Sequence, residues 1–250
     1  MPRSSAPTVL SPAGRPTVRS PRLRRRRVLA ALAALALLTG AAPAAHAASA
    51  STAPQPVDLG TLGGADSFAT AQTELGQVVG ASITADGVQH AFSWTRRGGM
   101  VDLGSLGGNS FPNAVNLAGQ VTGFSFTATG RLHGFFWSRV SGMVDIGSLG
   151  GGESQALAIS PFGQVVGVST TCPGCDSSTE HAFSWTQAGG MVDLGTLGGS
   201  TSGARSVTAD GRVLGASTTA AGAVHLFSWT STTGMVDLGA THAVVWYTHG

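Results

Sequence analysis

The chain has 250 residues, of which 42% are hydrophobic and only 10% are charged, and it contains 37 glycines. This composition argues against a disordered chain, which combines low hydrophobicity with a high net charge. The formal charge of +2 is misleading, because eight of the 14 arginines precede residue 28 and all 12 carboxylates follow residue 57. Residues 48–250 carry six arginines and 12 carboxylates, a net charge of −6, which argues against a nucleic-acid partner.

Residues 1–47 have the layout of a secretory signal peptide. Four consecutive arginines, at 24–27, precede an apolar run at 28–38, and small residues follow up to Ala47. The apolar run has 11 residues, whereas a helix needs about 20 to cross a bilayer. We therefore predict cleavage between Ala47 and Ala48.

The predicted product is extracellular and has no membrane anchor once the signal is removed. The Arg-Arg-Arg-Val-Leu segment that begins at Arg25 loosely resembles a twin-arginine signal, so both the Sec and the twin-arginine export routes stay open. Residues 48–56 are rich in Ala, Ser and Pro, which predicts a flexible mature N-terminus.

The remaining chain, residues 57–250, repeats one pattern. A Val-Asp-Leu-Gly-Thr-Leu-Gly-Gly segment at Val57 returns, with small changes, after steps of 44, 43, 48 and 44 residues. Each full unit also contains a Gly-x-Val-x-Gly segment and a His-x-Phe-x-Trp segment. The second glycine of the former, Gly80 in the first unit, should let a neighbouring sheet approach closely. The units are 57–100, 101–143, 144–191, 192–235 and a partial copy at 236–250.

The repeat predicts an all-β fold. Each unit holds short segments rich in Val, Phe, Trp, Ser and Thr, bounded by Gly, Asn or Asp, and no helical apolar period occurs after residue 50. Four short strands in about 44 residues are typical of a β-propeller blade. We therefore predict a β-propeller-like repeat with four full four-stranded blades and a partial fifth.

The two ends of the repeat region predict how the ring closes. In every complete unit a His-x-Phe-x-Trp strand precedes a Val-Asp-Leu-Gly strand, so the two should pair as a hairpin. Residues 57–60 and 242–246 each lack that partner in the sequence. Pairing these N- and C-terminal strands would close the partial fifth blade and remove two open edges. An open arc that self-associates is the alternative.

Together these three motifs resemble the extracellular HAF repeat, which is named after its His-Ala-Phe segment. The resemblance covers residues 57–246 and is carried by His90-Ala-Phe-Ser-Trp, Gly76-Gln-Val-Val-Gly and Met191-Val-Asp-Leu-Gly-Thr-Leu-Gly-Gly. It implies a secreted bacterial repeat protein of propeller type without an established activity. The fifth copy departs most from the pattern.

Residues that return in every unit are first candidates for architecture, because a catalytic site needs its residues only once. They are His90, His133, His181, His225 and His242; Asp58, Asp102, Asp145, Asp193 and Asp237; and Trp94, Trp137, Trp185, Trp229 and Trp246. We interpret the His and Asp side chains as ties between neighbouring strands, since a buried polar group without a partner costs about 1–3 kcal/mol. The rival interpretation is a ring of histidines that binds a metal in a central channel.

The only two cysteines, Cys172 and Cys175, lie in a loop that is longer than in the other units. In an exported chain this pair predicts a disulfide. A thioredoxin-like redox motif would require a helix N-terminus, and a metal site that also used His181 would lack a clear fourth ligand.

The sequence predicts a secreted, non-enzymatic binding module, because no catalytic residues, cofactor site or metal site can be assigned. Its partner would be a protein or a surface polysaccharide. The alternatives are a propeller hydrolase or lyase acting on polysaccharide, and a shortened repeat protein without independent activity. A cluster of off-repeat carboxylates would favour the hydrolase, whereas scattered positions for Glu74, Glu153 and Glu180 would exclude it. A carbohydrate-binding propeller would also need exposed aromatic rings, yet every Trp belongs to the repeat and Tyr247 is the only Tyr.

Overall fold

A computed structural model of the chain describes residues 55–172 and 179–240. They form 16 strands, which belong to a compact unit spanning Gln55–Gly250. The strands are β1 (Gly63–Gln72), β2 (Val78–Thr84), β3 (Gln89–Thr95), β4 (Gly99–Gly104), β5 (Gly107–Val115), β6 (Val121–Thr127), β7 (Leu132–Ser138), β8 (Gly142–Asp145), β9 (Ser154–Ile159), β10 (Val165–Thr170), β11 (Glu180–Thr186), β12 (Gly190–Asp193), β13 (Gly198–Val207), β14 (Val213–Thr219), β15 (Val224–Thr230) and β16 (Gly234–Ala240). No helix in this part of the chain is long and apolar enough to cross a membrane.

The strands form four antiparallel sheets of four strands each. Sheet 1 contains β1–β4, sheet 2 β5–β8, sheet 3 β9–β12 and sheet 4 β13–β16, and each sheet is a simple meander in chain order. The predictions of an all-β chain and of four-stranded units are therefore confirmed. The predicted hairpin is also present, since Phe92 lies opposite Asp102 and Trp94 opposite Met100 in the β3–β4 pair.

The sheets are offset from the sequence repeats. Each Val-Asp-Leu-Gly segment opens a repeat but supplies the fourth strand of the sheet that came before it, as Val101 and Asp102 do in β4. Residues 57–60 therefore have no sheet of their own and are not assigned to a strand. The partial fifth blade and the ring closure stay predictions, because residues 242–246 lie outside the described residues.

Consecutive sheets pack face to face. The first strand of each sheet contacts the second and third strands of the sheet before it, and the first strands β1, β5, β9 and β13 lie side by side. Each of the three junctions between sheets contains its own hydrophobic core. The core between sheets 1 and 2, for example, joins Val79, Ala91 and Leu103 to Val121 and Phe135.

The repeated glycine of the second strand has a different purpose from the one that its sequence predicts. We expected Gly80 to let a neighbouring sheet approach closely. A Cβ at Gly80 would instead lie 2.0 Å from the Phe68 carbonyl oxygen of the adjacent strand and 2.8 Å from the Phe92 ring of the same sheet. The strand register shifts between Ala69 and Ala71, so this glycine accommodates a β-bulge within its own sheet.

Candidate functional site

Each described repeat histidine binds an aspartate on the neighbouring strand. The His133 Nδ1 atom lies 2.8 Å from Asp145 Oδ2, and the distances in the other three sheets are 2.8–2.9 Å. The corresponding pairs are His90–Asp102, His181–Asp193 and His225–Asp237. The imidazoles are only 18–24% exposed, whereas the carboxylates are 41–45% exposed.

The same aspartates also hold the turn that follows the fourth strand. Asp102 Oδ1 accepts a hydrogen bond of 2.7 Å from the Gly104 N–H, and Gly104 has a φ of +79°, which favours glycine. Asp58 makes the same contact with Gly60. In sheet 4 the Gly239 N–H, followed by the His225 ring, lowers the pKa of Asp237 below its ordinary value.

This geometry links each histidine to its own sheet. The four pairs are distributed one to a sheet, and no group of three or more His, Cys, Asp or Glu side chains suited to a metal ion occurs among the residues that the structure describes. His242 and Trp246, the fifth copies of their positions, lie outside the described residues, as do Ala47 and Ala48 of the predicted cleavage site.

Serines in the first strands join one sheet to the next. Ser110 Oγ accepts a hydrogen bond of 2.8 Å from the Ala91 N–H and donates one of 2.6 Å to the Gly104 carbonyl oxygen, both in sheet 1. Ser154 and Ser202 make the same two bonds at the next two junctions. These serines were not predicted as site residues, although each lies 19–20 residues after its partner along the chain.

A cavity of about 390 Å³ opens at the junction between sheets 1 and 2. It is lined by Trp137 of β7 and by Arg139, which follows β7, and by Ser93 and Thr95 of β3 and Gln77, which precedes β2. Part of the Trp137 ring packs against the junction core, which fixes its orientation. The Gln77 Nε2 atom donates to Ser93 Oγ at 2.9 Å, so the polar wall is also held in place.

A second cavity, of about 710 Å³, lies beside Trp94 of sheet 1, which is the repeat counterpart of Trp137. Trp94, Arg96 and Arg97 lie on the sheet 1 side, while Val57 and Leu59 provide the opposite wall. Among the described residues, no carboxylate lines either cavity. Arg96 and Arg97 line this cavity, and Arg139 lines the first one. Three of the six arginines in residues 48–250 therefore lie around these two cavities.

The chemistry of the first cavity fits a ring with a negative charge. An indole offers a flat apolar face, the exposed Arg139 guanidinium can bind a carboxylate or sulfate with two hydrogen bonds, and the Ser93 and Thr95 hydroxyls bind sugar hydroxyls. The expectation that the repeat tryptophans leave no ring for stacking stays a prediction, although Trp137, a half-buried repeat Trp, lines this cavity. The spacing Trp-x-Arg, present only at Trp94 and Trp137, is the sequence signal for this site.

Two of the off-repeat glutamates come together at another place. Glu153 and Glu180 line one small cavity of about 190 Å³, and Glu180 also lines a neighbouring cavity with Arg205. Burial, followed by the charge of Glu153, raises the pKa of Glu180, and Arg205 partly opposes this. Glu74 lines a different cavity. Glu153 and Glu180 therefore lie close together. This pair does not have the scattered arrangement that would have excluded a hydrolase.

Only one of the two cysteines of the predicted disulfide lies among the described residues. Cys172 Sγ lies 3.6 Å from Thr179 Oγ1, and Cys175 lies outside the described residues. The pairing of the two cysteines stays a prediction.

Comparisons with known proteins leave the family open. No family model matches the chain, and no curated protein matches it. Among solved structures, the chain is similar to the crystal structure of TolB from Acinetobacter baumannii, with 14% sequence identity and a TM-score of 0.46. The match covers 66% of this chain and 41% of that protein, so the chain spans about two fifths of its length. A likeness of this extent assigns neither a family nor an activity.

Proposed function

We propose that this chain is a secreted, non-enzymatic repeat domain of the HAF type and that it binds an anionic polysaccharide outside a bacterial cell. The observation that carries the proposal is the cavity lined by Trp137 and Arg139, where no carboxylate of residues 55–172 or 179–240 takes part. In a chain with a net charge of −6 after residue 47, this concentration of arginine is a local exception. It would attract a negatively charged ligand to one edge of the molecule.

The secreted state rests on the signal-like residues 1–47, and the HAF assignment rests on the three repeated motifs. A propeller-like arrangement is supported by the four meander sheets and by the side-by-side packing of their first strands. Because each sheet places its loops at its ends, such an arrangement presents several loops and junction cavities to one ligand.

The test is a binding titration of the secreted chain against polygalacturonate, alginate and neutral dextran. We expect binding to the two acidic polymers and none to dextran. Arg139→Gln and Trp137→Leu should each weaken binding about tenfold or more, since each removes a charged hydrogen bond or a stacking face.

Arg205→Gln is the matched control, because Arg205 lies in a different cavity and its loss removes the same charge. Equal weakening by Arg205→Gln would contradict this site, since general electrostatic attraction would then explain the binding. A folded chain that binds none of the polymers would favour a protein partner or a repeat protein without independent activity.

The alternative of a polysaccharide hydrolase or lyase is favoured by one specific observation, the Glu153 and Glu180 pair. A carboxyl with a raised pKa beside a second carboxylate is the arrangement that general acid catalysis requires. If the chain cleaves an acidic polysaccharide, Glu180→Gln should abolish the release of reducing ends while Glu74→Gln leaves it unchanged. The binding-module proposal predicts no release with any variant.

A further inference from the structure

We propose that one end of the described sheets docks on a lipid surface with negatively charged headgroups. This end, which we call the Leu75 end, carries the turns between the first and second strands and those between the third and fourth strands. Because each sheet is an antiparallel meander, both kinds of turn lie at the same end of their sheet. The inference goes beyond the proposed polysaccharide site and does not depend on it.

The Leu75 ends of the sheets lie on one side of the molecule. One small cavity is lined by the last residues of all four first strands, Gln72, Val115, Ile159 and Val207. Asn116 Nδ2 also donates to the Ser160 carbonyl oxygen at 2.9 Å, which joins the turn of sheet 2 to the turn of sheet 3. The turns that follow these strands can therefore contact one flat surface together.

The most exposed large apolar side chains of the described residues lie at this end. Val140 is 98% exposed, Leu75 and Phe162 are each 82% exposed, and Leu117 is more than half exposed. Leu75, Leu117 and Phe162 belong to the turns after the first strands of sheets 1, 2 and 3. Val140 lies in the turn between β7 and β8. All four side chains thus project from turns.

The geometry of these turns does not require an apolar residue. In sheet 1 the Gly76 N–H donates to the Thr73 carbonyl oxygen, and the Thr73 N–H donates to the Gln77 carbonyl oxygen. The turns at residues 84–88, 127–131 and 219–223, at the opposite end, are closed by the same two hydrogen bonds.

The residues that take the place of Leu75 in those turns are small or polar. They are Asp86, Thr129 and Ala221, and in sheet 4 the Leu75 end itself has Asp210 at this place. Small and polar residues are the usual choice in tight turns. The apolar side chains of Leu75 and Phe162 therefore have a purpose other than forming the turn.

Arginines lie beside these apolar side chains. Arg96 and Arg97 are exposed in the turn between β3 and β4, and the exposed Arg139 precedes Val140. Among the described turns at the Leu75 end of sheets 1–3, Glu74 is the only carboxylate. In a chain whose residues 48–250 have a net charge of −6, this end combines local positive charge with exposed apolar side chains. Negative lipid headgroups are complementary to that charge.

A lipid surface fits this arrangement better than a protein surface does. The apolar side chains lie singly on four separate turns, with polar or small residues around them. A protein interface buries a closely packed core, whereas a bilayer accepts separate side chains that reach below its headgroups. The arginines would then bind lipid phosphates with charged hydrogen bonds. Such a contact is peripheral, so it is compatible with a chain that has no membrane anchor.

Two of the four side chains separate this surface from the proposed polysaccharide site. Leu117 and Leu75 each line one of the two junction cavities, whereas Val140 and Phe162 line neither of them. Substitutions at Val140 and Phe162 should therefore weaken docking on lipid and leave the binding of polygalacturonate unchanged.

Vesicle flotation of the secreted chain is the first test. We expect binding to vesicles of phosphatidylcholine mixed with phosphatidylglycerol, and binding at least about tenfold weaker to phosphatidylcholine alone. Phe162→Ser and Val140→Ser should each weaken binding to the mixed vesicles about tenfold, and Arg97→Gln about fivefold. Val224→Ser is the matched control, because Val224 is an exposed apolar residue at the opposite end of sheet 4, and it should bind like the parent chain.

Two outcomes of the flotation would overturn the proposal. One is a folded chain that floats with neither kind of vesicle, and the other is equal weakening by Val224→Ser and Phe162→Ser. Titration with polygalacturonate is measured separately and should give the same result for Phe162→Ser and the parent chain. A failure of the polysaccharide site can therefore be told apart from a failure of lipid docking.

A fluorescent label identifies the docking end and tests for a protein partner. In a background with Cys172→Ser and Cys175→Ser, an environment-sensitive dye on Val140→Cys should shift its emission to the blue when the mixed vesicles are added. Ala221→Cys, at a turn of the opposite end, is the matched control and should show no shift. A shift at Val140→Cys that grows with protein concentration without vesicles would assign the surface to a second copy of the chain. That result, or equal shifts at both positions with vesicles, would overturn the proposal.

Discussion

The three junctions between sheets and sheet 4, the last described sheet, differ in how far they bury the same repeat position. The apolar residue after the repeated aspartate is 4% exposed at Leu103 and 6% exposed at Ile146 and at Leu194. At Leu238, in sheet 4, it is 56% exposed. All four positions have nearly the same sequence neighbours, so the difference arises because a following sheet covers the first three and no described residues form one behind sheet 4.

A second difference concerns the start of the second strand. The glutamines Gln77, Gln120 and Gln164 lie close to a turn glycine of the following sheet. The equivalent residue of sheet 4 is Arg212, which is exposed. A neutral amide can be enclosed at a junction, whereas a guanidinium is more stable in water. The junction between two sheets, rather than the single sheet, is therefore the unit that stabilises this fold.

The largest expected effect is on the junction cores. Leu194→Ala should lower the free energy of unfolding by about 3 kcal/mol, because it leaves a cavity among Val166, Val213 and Phe227. Leu238→Ala should lower it by less than about 1 kcal/mol, as is usual at an exposed site. Denaturant unfolding of both variants measures the difference. Equal losses would show that a further sheet covers Leu238 in solution.

The hydrogen bonds that serines make between sheets should have the second-largest effect on stability. Ser154→Ala should cost about 2 kcal/mol, since it leaves the buried Gly134 N–H without its acceptor. Ser67→Ala should cost about 1 kcal/mol or less, because Ser67 makes only one of the two bonds among the described residues. Thermal unfolding of the pair measures this ratio, and a larger loss for Ser67→Ala would contradict the comparison.

The His–Asp contacts should contribute less to the free energy of unfolding than the junction cores or the serine hydrogen bonds. His133→Ala removes the contact with Asp145, but the carboxylate keeps its bond to the Gly147 N–H and its access to water, so we expect a loss of about 1 kcal/mol. His181→Ala should give the same loss, because its geometry is the same. Metal analysis of the purified variants provides the alternative readout. Loss of a bound metal with the fold intact would support the histidine ring and contradict the tie.

The smallest expected effect appears only in the pH dependence. Since the folded-state pKa of Asp237 is lowered, its stabilisation is present above the unfolded pKa of about 3.9 and is lost as the pH falls through the folded value. Asp237→Asn should therefore be less stable than the parent chain at pH 7, and the difference should shrink as the pH falls below about 4. Thermal midpoints between pH 3 and pH 7 measure it. A difference that is constant with pH would show that the carboxylate charge is not responsible.

Much of the fold follows from local pattern. The alternation in His90-Ala-Phe-Ser-Trp, the glycine-bounded turns and the regular spacing predicted the strands, their number in each unit and the β3–β4 hairpin. The offset between repeats and sheets was not foreseen, because a repeat begins wherever its most recognisable segment is found, whereas a sheet begins where hydrogen bonding starts. The purpose of Gly80 was also misjudged, since a bulge in the neighbouring strand leaves no trace in the sequence around Gly80.

The candidate site was predicted less well than the fold. Trp137 was assigned to architecture because it recurs, and its exposure to a cavity depends on the shape of a junction that brings it near Gln77, 60 positions earlier in the printed sequence. The approach of Glu153 to Glu180 depends on strand pairing within sheet 3, where Thr170 of β10 lies opposite Glu180 and its N–H donates to the Glu153 carbonyl oxygen.

The repeat, the β character and the polar residues that tie each sheet follow from the local sequence, because they are set by side-chain alternation and turn chemistry over a few residues. Which copies are buried, which serines join two sheets and where a tryptophan meets an arginine depend on tertiary packing. Those properties depend on contacts between segments that are distant in the chain, and a residue such as Leu238 has the same local sequence whether or not a neighbouring sheet covers it.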